Sequence, residues 1–204
     1  MWFKSEPKYY KGLGLIKLWE SFTKEEKKII ENYYKYEGLG SIDIFKDAPG
    51  LNNYDFKAII SLIYIGNHKK VYSIAYKSIS YLYDNNIWGN NPVDIHFFYN
   101  ECIYLYYKPK NLDVLDIEKT KEYCYLDIQL TLQEENAIRS IGCGEFPFMP
   151  SFKQLSIILE KENNYDEAIR ICEIAIKLNL DDDTKGGYIK RLEKLKKKKF
   201  QYKA

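Results

Sequence analysis

Only two histidines, two methionines, six prolines and three arginines occur among the 204 residues, and no apolar run approaches the roughly 18 residues that a membrane-spanning helix needs. The scarcity of proline, with only 11 glycines, excludes collagen-like and low-complexity chains. The start, Met1-Trp2-Phe3-Lys4-Ser5-Glu6-Pro7, lacks a basic stretch followed by an apolar one, so it does not read as a secretion signal. The four cysteines, Cys102, Cys124, Cys143 and Cys172, are widely spaced with no Cys-x-x-Cys pair, and His68 and His96 lie at helical spacing from none of them. That pattern supplies no metal site and predicts four free thiols in a reducing cytoplasm. Gly-x-Ser-x-Gly, His-Glu-x-x-His and a P-loop are absent too, and nothing requires a cofactor, so the chain reads as a non-enzyme with no catalytic residue to name.

What the sequence does have is aromatic surface: 20 Tyr, 10 Phe and 3 Trp, enough apolar area for one substantial core and for a single domain over residues 1–204. Lysine dominates the basic residues, and with abundant Ile, Asn and Tyr it reads first as AT-rich coding, not as selection for phosphate contacts. Apolar residues recur at helical spacing between short polar breaks and never alternate for long, which predicts an all-α fold.

The first 50 residues are the less regular part. Leu13 to Phe22 forms a short helix, and Thr23-Lys24-Glu25-Glu26 is a capping box opening a helix to about Tyr36. Gly38 and Gly40 end it, and residues 41–53 form a loop. Residues 54–132 hold degenerate helical hairpins. Tyr54–Ile65 and His68–Tyr83 are split by Gly66-Asn67 as a tight turn, Pro92 starts a helix to about Tyr107, Lys108–Asn111 breaks it, and the next helix runs from Asp113 or Asp116 to near Leu132. A short helix follows near Gln133. Ser151-Phe152-Lys153-Gln154 reads as a second capping box, followed by the stripe Phe152, Leu155, Ile158 and Leu159. After Asn163-Asn164 a further helix carries Tyr165, Ala168, Cys172 and Ala175. A basic capping helix over 184–200, with Asp183 or Thr184 as its N-cap, closes the chain.

Over 151–180 the chain resembles the tetratricopeptide repeat family. Phe152, Leu155, Ser156 and Leu159 occupy the first helix's aromatic, Leu, small and Tyr places, while Ala168, Cys172 and Ala175 occupy the second helix's. Leu180 stands at the closing proline place. Tyr72, Ala75, Ile79 and Leu82 echo the second-helix spacing. The resemblance implies a degenerate array of helical hairpins, an α-α superhelix, with close packing at Ser156, Ala168 and Ala175 and with Phe152 and Tyr165 filling the wedge. His96-Phe97-Phe98-Tyr99-Asn100, Tyr123-Cys124 and Tyr165-Asp166-Glu167-Ala168-Ile169 are also similar to small bacterial and phage proteins of this type, a group that implies no activity.

Such arrays bind partners on a concave face. The residues expected to contribute to a tyrosine-rich surface for a protein or peptide are His96 and Asn100, four apart on one helix face, with Lys153 and Glu160 on the repeat's first helix and Lys190, Arg191 and Lys194 on the basic one. His96 and Asn100 also read as a hydrogen-bonded structural pair. Residues 185–204 carry a net +8, leaving 22 basic and 28 acidic residues elsewhere, so two further readings stand: a phage or mobile-element inhibitor that occludes a host defence protein in the host cytoplasm, and a nucleic-acid-associated protein using the basic helix. Asp181 to Gly187 fits neither a phosphate loop nor an EF-hand and reads as a turn.

Overall fold

A computed structural model describes residues 6–37, 42–50, 54–107 and 116–203. The expected breaks at Gly38, Gly40 and Lys108–Asn111, the Asp113 start and part of the 41–53 loop lie outside them. Among the described residues the fold is all-α, with no strand and one isolated bridge, Gly142 to Glu145. Length favours one domain, but the chain divides into two compact units, residues 1–90 and 91–204, at the polar Asn90-Asn91 break ahead of Pro92.

The first unit opens with α1 (Lys8–Gly12), a turn of helix that periodicity is too short to reveal, and α2 (Ile16–Ser21). Tyr10 is fully buried and stacks on Trp19, ring centroids 5.2 Å apart, with Tyr9 and Tyr34 both edge-on to it and tilted against each other. α3 (Lys24–Asn32) begins at the capping box. The Glu26 amide donates to Thr23 Oγ1 at 3.2 Å, and the Thr23 amide donates to Glu26 Oε2 at 2.7 Å. A π-helical turn, Tyr33–Glu37, extends it.

α4 (Asp55–Lys69) and α5 (Tyr72–Asp84) form a hairpin. Glu26 also accepts from Ser73 at 2.6 Å and from Lys77 at 2.7 Å, so one capping carboxylate ties α3 to α5. Burial alone would raise its pKa; those donors prevail and hold it below the ordinary value. The turn is not at Gly66-Asn67: α4 runs through both, and the chain reverses at Lys70, whose φ is 57°. Gly66 is buried inside the helix because α5 passes directly over it. A Cβ there would stand 2.6 Å from the Ala75 amide nitrogen.

In the second unit α6 (Pro92–Tyr107) starts at its proline, and α7 (Ile117–Gln133) is capped by Asp116, which accepts from the Lys119 amide at 2.9 Å. After the short α8 (Glu135–Arg139) come α9 (Pro150–Lys161), α10 (Tyr165–Lys177) and α11 (Gly187–Lys203). Each long helix packs on the next, α6 on α7, α7 on α9, α9 on α10 and α10 on α11. Phe152, Leu155 and Ser156 of α9 and Ala168, Ile171, Cys172 and Ala175 of α10 are completely buried, and Ser156 meets Cys172 where the two helices pack. Asn163, at φ 59°, and the Asn164 cap separate the two.

Three local expectations need correction. Ser151 does not cap α9: Pro150 takes the first helical position, where its missing amide is harmless, and the Ser151 hydroxyl is buried with no hydrogen-bond partner among the described residues. Neither Asp183 nor Thr184 caps α11, because the turn continues to Gly186 and Gly187, both at positive φ. Tyr165 is half-buried against Tyr202 and does not fill the wedge.

Candidate functional site

The site is built outward from α6. His96 is completely buried, its Nδ1 2.7 Å from Asp127 Oδ1 on α7 and its Nε2 3.0 Å from Asn100 Nδ2 one turn along its own helix. The geometry reads as Nδ1–H donating to the carboxylate while Nε2 accepts from the amide. Both ring nitrogens are therefore engaged, so His96 presents no base and no surface to a partner. It holds Asn100 in place.

Asn100 lines a recess of about 380 Å³ together with Phe97 and Tyr104 of α6, Lys153 and Gln154 of α9, and Phe148 of the preceding segment. Phe97, Tyr104 and Phe148 are 41%, 47% and 54% exposed. Other aromatics of the chain are as exposed, but these three are gathered on one recessed surface, and it is a contiguous apolar patch that marks an interaction site. Phe148 also walls a second recess of about 350 Å³, lined by Phe146, Arg139, Glu145, Asp181 and Asp183.

The cations of these recesses are already engaged. Arg139 lies 3.9 Å over the Phe146 ring, donates to Glu135 at 2.8 Å and to the Leu178 carbonyl at 3.1 Å. Lys153 donates to the Asp182 carbonyl at 2.7 Å. Asp182 is completely buried: its Oδ1 accepts from the Thr184 amide and hydroxyl, and its Oδ2 from Arg191 at 2.8 and 3.1 Å. Burial pushes this carboxyl up, but the Thr184 and Arg191 donors outweigh it and hold the group below its usual range.

Of the residues singled out from sequence, Asn100 and Lys153 thus meet in one recess, with His96 behind Asn100. Arg191, Glu160 and Lys194 belong elsewhere, in contacts that α11 makes with the rest of the second unit. Glu160 accepts from Lys194 at 2.9 Å and from Lys198 at 2.7 Å, while Lys196 and Lys199 pair with Glu173 and Asp166. Lys190 stays exposed. The basic segment is a docked helix, with Tyr188 and Leu195 buried beneath it.

Sequence reasoning missed Asp127, Asp182, Gln154 and Phe148. Asp127 carried a signal, since it interrupts the buried stripe Thr120, Tyr123, Cys124, Ile128 and Thr131 with a charge. The others carried none.

A larger cavity of about 740 Å³ lies in the first unit, lined by Lys24, Lys27, Lys28, Glu20, Glu31 and Trp19. Its charges oppose one another, and Trp19 is already covered by Tyr10 on one side and Lys27 at 5.5 Å. Among the described residues no group of His, Cys, Asp or Glu could hold a metal ion, and no helix is long and apolar enough to cross a membrane. Burial raises the pKa of Cys102, Cys124 and Cys172, which makes these thiols poor nucleophiles.

No protein-family model matches the chain, and no solved structure does. An uncharacterized protein of Aquifex aeolicus (strain VF5) is 22% identical over 182 residues, spanning 84% of each chain.

Proposed function

We propose that this chain is a non-enzymatic helical-hairpin module of degenerate tetratricopeptide-like build, and that it binds a protein or peptide in the recess lined by α6, α9 and the Phe146–Pro150 segment. The observation that carries the reading is the gathering of Phe97, Tyr104 and Phe148, each more than two-fifths exposed, around a fixed Asn100. Such a surface costs solvation free energy when bare and gains it when covered. A preoriented side-chain amide beside apolar anchors suits a peptide backbone, which offers both donors and acceptors. The repeat-like build draws support from the complete burial of the small residues Ser156 on α9 and Ala168 and Ala175 on α10, two helices that pack together.

The test is a comparative pull-down from the native host, using the wild-type chain and a Tyr104→Ala/Phe148→Ala variant whose helicity is checked by circular dichroism. A stoichiometric partner held by the wild type and lost from the variant is the expected result. Partners retained equally by both chains, or none with either, would defeat the reading.

A further inference from the structure

The two recesses that share Phe148 differ in chemistry. Around Phe97, Asn100 and Tyr104 the lining is mainly apolar; on the other side of Phe148 stand Glu145, Asp181 and Asp183, all exposed and, among the described residues, none in an ion pair. The cations nearby do not neutralise them. Arg139 is paired with Glu135 and stacked on Phe146, and Lys153, held at the neutral Asp182 carbonyl, offsets at most one of the three carboxylates. Across the pair of recesses the uncommitted charge is therefore negative, and it lies to one side of an aromatic wall.

We propose, building on the interaction reading above, that the occupant is a peptide segment bearing a Lys or Arg side chain a few residues from an aliphatic or aromatic one. The apolar side chain enters beside Phe97 and Tyr104, the backbone crosses Phe148, and the basic group meets Asp181, Asp183 and Glu145 on the far side. An acidic segment or a nucleic-acid strand meets repulsion at those carboxylates, a preference built from charge as much as from shape.

A displayed library of random dodecapeptides, panned on the full chain, provides the probe; selected peptides are then resynthesised and titrated by fluorescence anisotropy. The expected binders pair Lys or Arg with an apolar residue. They lose most of their affinity to Phe148→Ala and weaken roughly tenfold against an Asp181→Asn/Asp183→Asn/Glu145→Gln variant. Asparagine keeps the acceptor through which Asp181 Oδ1 takes the Asp183 amide at 3.1 Å, and it tolerates the φ of 56° at residue 183, so this variant preserves the turn.

Binders that are lost with Phe148→Ala but lack basic residues, or ignore the carboxamide variant, overturn the basic-peptide assignment and leave the interaction reading standing. Binders indifferent to Phe148→Ala, or no binders at all, overturn both. Sedimentation of the wild type covers one more outcome: self-association abolished by Phe148→Ala and by the carboxamide variant places a second copy's lysine-rich α11 in the recess and overturns the assignment to a separate peptide.

Discussion

Gly66→Ala is the most direct test of the first unit, because two readings of that glycine predict changes of opposite sign. In the interior of an ordinary helix, alanine stabilises relative to glycine by about 1 kcal/mol. Here the new methyl would lie 2.6 Å from the Ala75 amide nitrogen and 2.9 Å from the Ala75 Cβ, and backbone cannot swing aside as a long side chain can. Overpacking of this kind costs about 1–3 kcal/mol, and contact with backbone puts it toward the upper end. Subtracting the propensity gain leaves a net loss of about 1–2 kcal/mol. In urea denaturation the midpoint should fall with the slope unchanged, and Tm should drop by several degrees. Adding Ala75→Gly removes the methyl-to-methyl contact and leaves the nitrogen contact, so it should recover only part of the loss, with a coupling that a double-mutant cycle reads. A Gly66→Ala protein as stable as the wild type, or more so, would refute the close passage of α5 over α4.

Two further outcomes follow from buried groups. In native protein, Ellman's reagent should modify Cys143 rapidly and leave Cys102, Cys124 and Cys172 untouched, the last with its thiol pushed up to about 11 by burial; denaturation without reductant should release four thiols, and a lower count would mean a disulfide. Asp182→Asn should cost about 3 kcal/mol near neutral pH because Arg191 loses its counter-charge, and since the folded carboxyl titrates below its unfolded value, the wild type's advantage should disappear as pH falls from about 4 through the folded pKa. Urea denaturation at pH 7 and pH 3 checks this, and an unchanged gap would contradict the ion pair.

What could be read in the chain beforehand was whatever is decided within a few residues. The Thr23–Glu26 capping box, the Pro92 start, the Asp116 cap and the Asn163-Asn164 break depend on neighbours three or four positions away, and each lies where local rules put it. Ser151 shows how such rules fail: its spacing to Gln154 matched a capping box, but Pro150 competes for the same turn and wins. Gly66 failed for a different reason. Its cause is a helix passing overhead nine residues later, and periodicity within α4 holds no trace of it. The site divides in the same way. His96 and Asn100 are visible as an i, i+4 pair, whereas Asp127, 31 residues along, is brought in by packing of α6 on α7. Among Asp181, Asp182 and Asp183 the sequence offers no means of choosing the one that is buried.

The near-neutral total charge also acquires a physical meaning once these contacts are known. The +8 of the last twenty residues reads in the sequence as a basic capping helix, and its lysines stand against Glu160, Asp166 and Glu173 of α9 and α10. Pairs of that sort, each open to solvent on at least its lysine side, contribute only about 0–1 kcal/mol each and are screened by salt, so they are not the main thing that seats α11. The seating comes from Tyr188 and Leu195, buried under the helix, and from the completely enclosed Asp182, which joins Arg191 of α11 to the Lys153 end of α9 through its carboxylate and its carbonyl. The same arrangement sets the character of the recess. By drawing Lys153 toward the Asp182 backbone and Arg191 toward its side chain, it leaves Asp181 and Asp183, on either side in sequence, without a cation of their own among the described residues. A substitution at Asp182 should therefore reach beyond stability: Asp182→Asn keeps the backbone carbonyl that holds Lys153 but removes the carboxylate that neutralises Arg191, so an unpaired cation beside Asp181 and Asp183 would reduce the negative charge offered to a partner, and a basic peptide should bind Asp182→Asn more weakly than its fraction folded accounts for.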